Sequence, residues 1–121
     1  MGKLVLADVD GTILRYGKET TTRRVAEAVV RMQEQGHALV PVTSRSARLM
    51  GRLALQLRLR HLGVLDGGAT VYDFATDSRD ATLSCWLEPH KTAAIIKAIG
   101  RYCSEVYYGE DSSRFGERAT I

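Results

Sequence analysis

The chain has 121 residues, of which 45% are hydrophobic and 26% charged; this fits one globular domain and excludes wholesale disorder. Its 17 basic and 14 acidic residues leave a net charge of +3, too mild to mark a nucleic-acid binder unless the charges cluster. No apolar run approaches the ~18–20 residues of a membrane span, and Asp8 and Asp10 interrupt the only apolar stretch near the start, so the expectation is a cytoplasmic protein without a membrane partner.

Lys3 to Ala7 reads as a short buried strand that runs into the polar turn Asp8-Val9-Asp10-Gly11-Thr12. Thr20, Thr21 and Thr22 offer caps for a helix whose stripe is Val25, Ala28, Val29 and Met32, and Gly36 stands where a left-handed terminal residue is expected. Ala38 to Val42 is a second strand, in which Pro41 fits poorly because it cannot donate to a ladder. Ser46 then caps a helix with Leu49, Met50, Leu53 and Leu57 on one face. Gly63 to Leu65 is a third strand, ending at Asp66-Gly67-Gly68.

Beyond it, Thr70 to Tyr72 and Ala81 to Trp86 suggest a hairpin around Thr76-Asp77-Ser78. Pro89 opens a helix with Ile95, Ala98, Ile99 and Tyr102 as its apolar stripe, and Glu105 to Tyr108 is a last strand. Cys85 and Cys103 have no metal-ligand spacing and read as reduced, buried thiols. Arg45, Arg48 and Arg52 fall on one helix face, followed by Arg58, Arg60 and His61. No aromatic residue is interleaved among them to stack a base, so they read as a solvated face and no nucleic-acid partner is expected.

Strand–helix alternation of this kind makes a doubly wound parallel α/β sheet, with its ligand outside the carboxyl ends of the strands. Three polar turns then converge on one rim: Asp8 to Thr12, Thr43-Ser44-Arg45, and Asp66-Gly67-Gly68. Asp8 and Asp10, two apart on extended chain, point the same way, and paired carboxylates call for a cation or a shared proton. Mg²⁺ suits such hard oxygens. Gly11 permits a tight turn whose N–H groups face an anion, while Thr43 and Arg45 bring a hydroxyl and a forked cation suited to phosphate. Together these point to phosphoryl transfer through an aspartyl-phosphate.

Asp8-Val9-Asp10-Gly11-Thr12 resembles the first motif of the haloacid-dehalogenase-like phosphohydrolases, and Val42-Thr43-Ser44-Arg45 their second. Asp66-Gly67-Gly68-Ala69 and Val71-Tyr72-Asp73 are similar to a segment of the branch with a large α/β cap, which includes sugar-phosphate and phosphoglycolate phosphatases. The resemblance implies a three-layer core, incomplete here, over residues 1–73, with residues 74–121 cap-like or core-completing. It implies Asp8 as nucleophile, Asp10 as general acid and base, and Mg²⁺ on Asp8 and the Asp10 carbonyl. Gly11, Thr12, Thr43, Ser44 and Arg45 would hold the phosphate of a small phosphorylated substrate. Ser44 stands where the family has Gly, and Asp66 where it has Asn, so the first is expected to need no positive φ.

The family also uses a lysine and a final acidic pair. In one register Lys91, Glu110 and Asp111 supply them in a capless miniature, with Glu105 to Tyr108 beside Lys3 to Ala7. In the other, residues from about 74 onward open a cap, and the cap-like run from Tyr72 to Ile99 favours this register. The implied sheet then leaves one flank of Lys3 to Ala7 open, so a homo-oligomer or a second chain completing the sheet is expected. Two function classes follow: an Mg²⁺-dependent phosphohydrolase, truncated and weakly active, or a non-catalytic binding module of the same fold.

Overall fold

Five strands and two helices build the part of the chain that carries the polar turns. The computed structural model describes residues 1–80, 82–85, 88–99, 102, 105–108 and 117–120. Strand β1 (Leu4–Asp8) pairs in parallel with β2 (Ala38–Val42) along its whole length, from Leu4 opposite Ala38 to Asp8 opposite Val42. β2 in turn pairs in parallel with β3 (Leu62–Leu65) at Val42 and Val64. Pro41 is accommodated because the β2–β3 ladder is confined to that single pair, which leaves little for its missing N–H to break.

Helix α1 (Arg23–Glu34) connects β1 to β2. Thr22 caps it, its hydroxyl accepting from Val25 N, and Gly36 at φ +85° lets the chain turn back into β2. Helix α2 (Ala47–Leu57) is capped by Ser46 in the same way. Met50, Leu53 and Leu57 are fully buried, whereas Leu49, expected in their stripe, is exposed. These three pack with Leu39, Leu65, Val9, Leu14 and Ala26 into one core. Gln33 joins the two helices, its Nε2 donating to the Leu57 carbonyl at 2.8 Å.

After β3 the chain reverses. β4 (Thr70–Asp73) runs antiparallel to β3, and β5 (Ser78–Arg79) antiparallel to β4, so the sheet order is β1-β2-β3-β4-β5. The hairpin is where the sequence places it, but its second arm is Ser78–Arg79, not Ala81 to Trp86. The Asp80 carboxylate accepts from Thr82 N, Thr82 Oγ1 and Leu83 N, which bends the chain out of the strand. Ala81, Trp86 and Leu87 lie outside the described residues.

Helix α3 (Pro89–Ile99) begins at the proline, as its position predicts. β6 (Glu105–Tyr108) pairs antiparallel with β7 (Glu117–Thr120), not with β1, so the pairing required by the miniature register is not found. Cys85 is exposed rather than buried: its N–H donates to the Ala69 carbonyl at the end of an outer loop. Cys103 lies outside the described residues. Among the described residues no helix is long and apolar enough to cross a membrane.

Candidate active site

Register sets the rim. Asp8 is level with Val42, and Val42 with Val64, so the residues that follow each strand emerge side by side. Immediately after β1 the backbone knots: the Val9 carbonyl faces the N–H groups of Thr12, Ile13 and Leu14 at 2.8–3.3 Å, and Gly11 N donates to Leu14 O at 2.7 Å. Gly11 adopts φ +86°, a region where only glycine is unstrained, and a Cβ there would lie 2.7 Å from the Tyr16 hydroxyl. Val9 and Leu14 are fully buried beneath this knot, which fixes it to the core.

Asp8 is exposed at the end of β1, where its Oδ2 accepts from the Thr12 hydroxyl at 3.3 Å. Asp10 is held differently. Arg45 donates to it with both arms of its fork, Nε to Oδ2 at 2.8 Å and Nη2 to Oδ1 at 2.7 Å. Its side chain is 29% exposed and that of Arg45 14%, so the pair is sheltered from full screening. The Arg45 hydrogen bond, outweighing a small burial penalty, holds the Asp10 carboxyl below the usual carboxylate range.

Arg45 is a hub. Its Nη2 also donates to Lys18 O at 3.0 Å, its Nη1 to Leu49 O at 3.3 Å, and its backbone N to Thr43 Oγ1 at 3.1 Å. Thr43 is buried at the end of β2, and because its oxygen accepts from Arg45 its own O–H remains to donate. Asp66 N donates back to Arg45 O, and Gly67 N to Thr43 O, so the second and third turns are stitched together. Asp66 is left-handed at φ +52°, and its Oδ2 is buried without a hydrogen-bond partner.

The structure therefore brings together Asp8, Asp10, Gly11, Thr12, Thr43 and Arg45, two of them already engaged within the rim. Gly11 N is engaged by Leu14 O, so it is not a free anion donor. Arg45 faces Asp10 rather than open space, because a carboxylate matches the guanidinium fork as well as a phosphate does. Ser44 is exposed and is not among the positive-φ residues, so the glycine usual in the second motif is not required. Lys91 is exposed and pairs with Glu88 at 3.6 Å; no ion pair joins it to Asp8 or Asp10 among the described residues. Glu110 and Asp111 lie outside the described residues. Sequence reading missed Tyr16 over Gly11 and the Lys18 carbonyl on Arg45, both in the segment after the first motif, which has no pattern of its own.

The sequence model of the haloacid dehalogenase-like hydrolases matches residues 5–119. Among solved structures, a haloacid dehalogenase-like hydrolase from Bacteroides thetaiotaomicron superposes with a TM-score of 0.71 at 24% identity, over 89% of this chain and 41% of its own. A haloacid dehalogenase-like hydrolase from B. subtilis gives 0.65 at 16% identity, over 92% of this chain and 40% of its own. A phosphatase of the haloalkanoate superfamily from Bacteroides thetaiotaomicron gives 0.62 at 19% identity, over 83% and 37%. The chain thus spans about two fifths of the length of these relatives. Among curated proteins, none matches it.

Proposed function

Because the chain belongs to the haloacid dehalogenase-like hydrolases, we propose that it carries the nucleophile half of a phosphohydrolase acting on a small phosphorylated metabolite. The observation that carries this reading is Asp8: an exposed carboxylate at the end of a paired strand, level with the strand whose next residue is the donor Thr43. Asp8 attacks the phosphorus, forming an acyl phosphate as the bond to the leaving oxygen breaks. The Thr43 hydroxyl donates to an oxygen of the transferring group. Water then attacks the phosphorus, the bond to Asp8 breaks, and the water proton passes to the Asp10 carboxylate.

The Arg45 fork favours ionised Asp10, which is the form that accepts this proton. Protonating the leaving oxygen in the first step requires the fork to loosen. Asp8 and the main-chain carbonyl of Asp10 fit Mg²⁺, since both are hard oxygens and Mg²⁺ commonly takes one or two carboxylates and keeps several waters. The Asp10 carboxylate itself is committed to Arg45, and no cluster of three His, Cys, Asp or Glu side chains occurs among the described residues. When bound, the ion would neutralise charge on the phosphoryl oxygens.

The test is turnover of an aryl phosphate with Mg²⁺ by the 121-residue chain. Asp8→Asn should abolish it while leaving the far-ultraviolet circular dichroism unchanged. A folded chain with no turnover above the Asp8→Asn variant would replace this reading with a non-catalytic binding module.

A further inference from the structure

Helix α1 and the end of α2 border a groove of about 340 Å³ that the rim does not use. Helical spacing sets its lining. Ala26 and Val30, four apart on α1, are its apolar part, and Glu27 and Arg31, also four apart, stand beside them. Gln56, from the last turn of α2, and Arg58, its cap, form the other side. Gln56 is fixed in place: its Oε1 accepts from Thr21 N and its Nε2 donates to Thr21 O, both at 2.8 Å.

Two guanidinium groups thus border one groove. Arg23, Arg45 and Arg52 each hold a carboxylate, but among the described residues the side chains of Arg31 and Arg58 have neither an ion pair nor a hydrogen bond. Glu27, the carboxylate of the lining, is already taken by Arg23 at 2.6 Å. Arg58 also sits under strain. It ends α2 at φ +51° and ψ +47°, left-handed backbone that disfavours any residue with a Cβ. The same chain turns out of α1 on Gly36, which is relaxed there. A cap alone does not call for arginine, so the strain directs attention to its side chain.

We infer that this groove binds a small organic dianion: two carboxylates on a short apolar spacer, one on each guanidinium, with the spacer against Ala26 and Val30. The guanidinium fork matches a carboxylate in shape and charge. The volume lies within the roughly 300–1,000 Å³ of small-molecule sites, and an apolar wall with a few placed polar groups is their usual make-up. Inorganic phosphate would leave Ala26 and Val30 without a partner, whereas methylene groups cover them. Two unpaired cations beside one paired carboxylate are neutralised by two negative charges, and a third would face Glu27. Arg58, grouped by sequence with Arg60 and His61 on a solvated face, is brought beside Arg31 by the way the two helices pack.

The test is titration calorimetry of the 121-residue chain with glutarate at fixed ionic strength. One submillimolar site should appear, with inorganic phosphate binding at least tenfold more weakly. Arg58→Gly should weaken glutarate at least tenfold without lowering the melting temperature, because glycine is at ease in the left-handed backbone. Arg31→Gln should weaken it to a similar degree. Arg24→Gln, an exposed α1 arginine outside the groove, should change it less than twofold. Glutarate should also slow hydrogen exchange at the Thr21 amide, whose acceptor is Gln56. Absence of glutarate binding would overturn the inference, as would phosphate binding equally well. Affinity that survives both Arg58→Gly and Arg31→Gln, or unchanged exchange at Thr21, would place the anion elsewhere and overturn it too.

Discussion

Arg45 grips both carboxylate oxygens of Asp10, at 2.7 and 2.8 Å, and through them joins the turn after β1 to the turn after β2. The contact couples an electrostatic state to a fold contact: whatever protonates Asp10 also loosens the rim.

Replacing Arg45 with methionine should therefore destabilise the chain by about 2 kcal/mol at neutral pH, the scale of charge-assisted hydrogen bonds. The folded Asp10 carboxyl titrates below its unfolded value. Its contribution is fully present above the unfolded pKa of about 3.9 and fades as pH falls through the folded value. Urea denaturation of parent and Arg45→Met at pH 7 and near pH 3 should show the gap between them narrowing in acid. If the chain turns substrate over and the water step limits turnover, the acidic limb of the kcat profile should move to higher pH in the variant.

Mg²⁺ should bind weakly, because Asp8 is the one carboxylate of the motif left free by Arg45. Titration calorimetry should detect binding to the parent and none to Asp8→Ala. Equal heats from both would place the ion elsewhere.

Gly11→Ala tests the knot after β1. The left-handed backbone alone should cost about 1–2 kcal/mol for a residue with a Cβ, and the new methyl would also meet the Tyr16 hydroxyl. Tyr16 is largely exposed and free to swing away. Adding Tyr16→Ala should thus recover only the smaller, steric share, and melting curves of the two single variants and the double variant measure that share.

The core was legible because its signals are local. Thr22 and Ser46 cap the helices they precede, Gly36 ends the first, and Met50, Leu53 and Leu57 repeat at helical spacing onto one buried stripe. Asp8, Asp10, Thr43 and Arg45 were legible as a group through motif order. Arg45 was read as a phosphate ligand because its partner is far away in sequence, and only the parallel register of β1 and β2 puts Asp10 within its reach. The hairpin arm differs for a local reason: Ala81 to Trp86 reads as its second strand, but the Asp80 carboxylate accepts from Thr82 N and Leu83 N and bends the chain just before it.

The stitching of the second and third turns has a consequence for how the rim is held. Asp66, held left-handed, anchors the Arg45 carbonyl, and Gly67 anchors that of Thr43. The guanidinium fork is thus aimed partly by a bend that follows the third strand. A residue at 67 unable to adopt φ +66° would release the Thr43 carbonyl and loosen the main chain on which Thr43 and Arg45 are mounted. The main chain that carries the fork of the second turn is thus braced by a loop that follows the third strand.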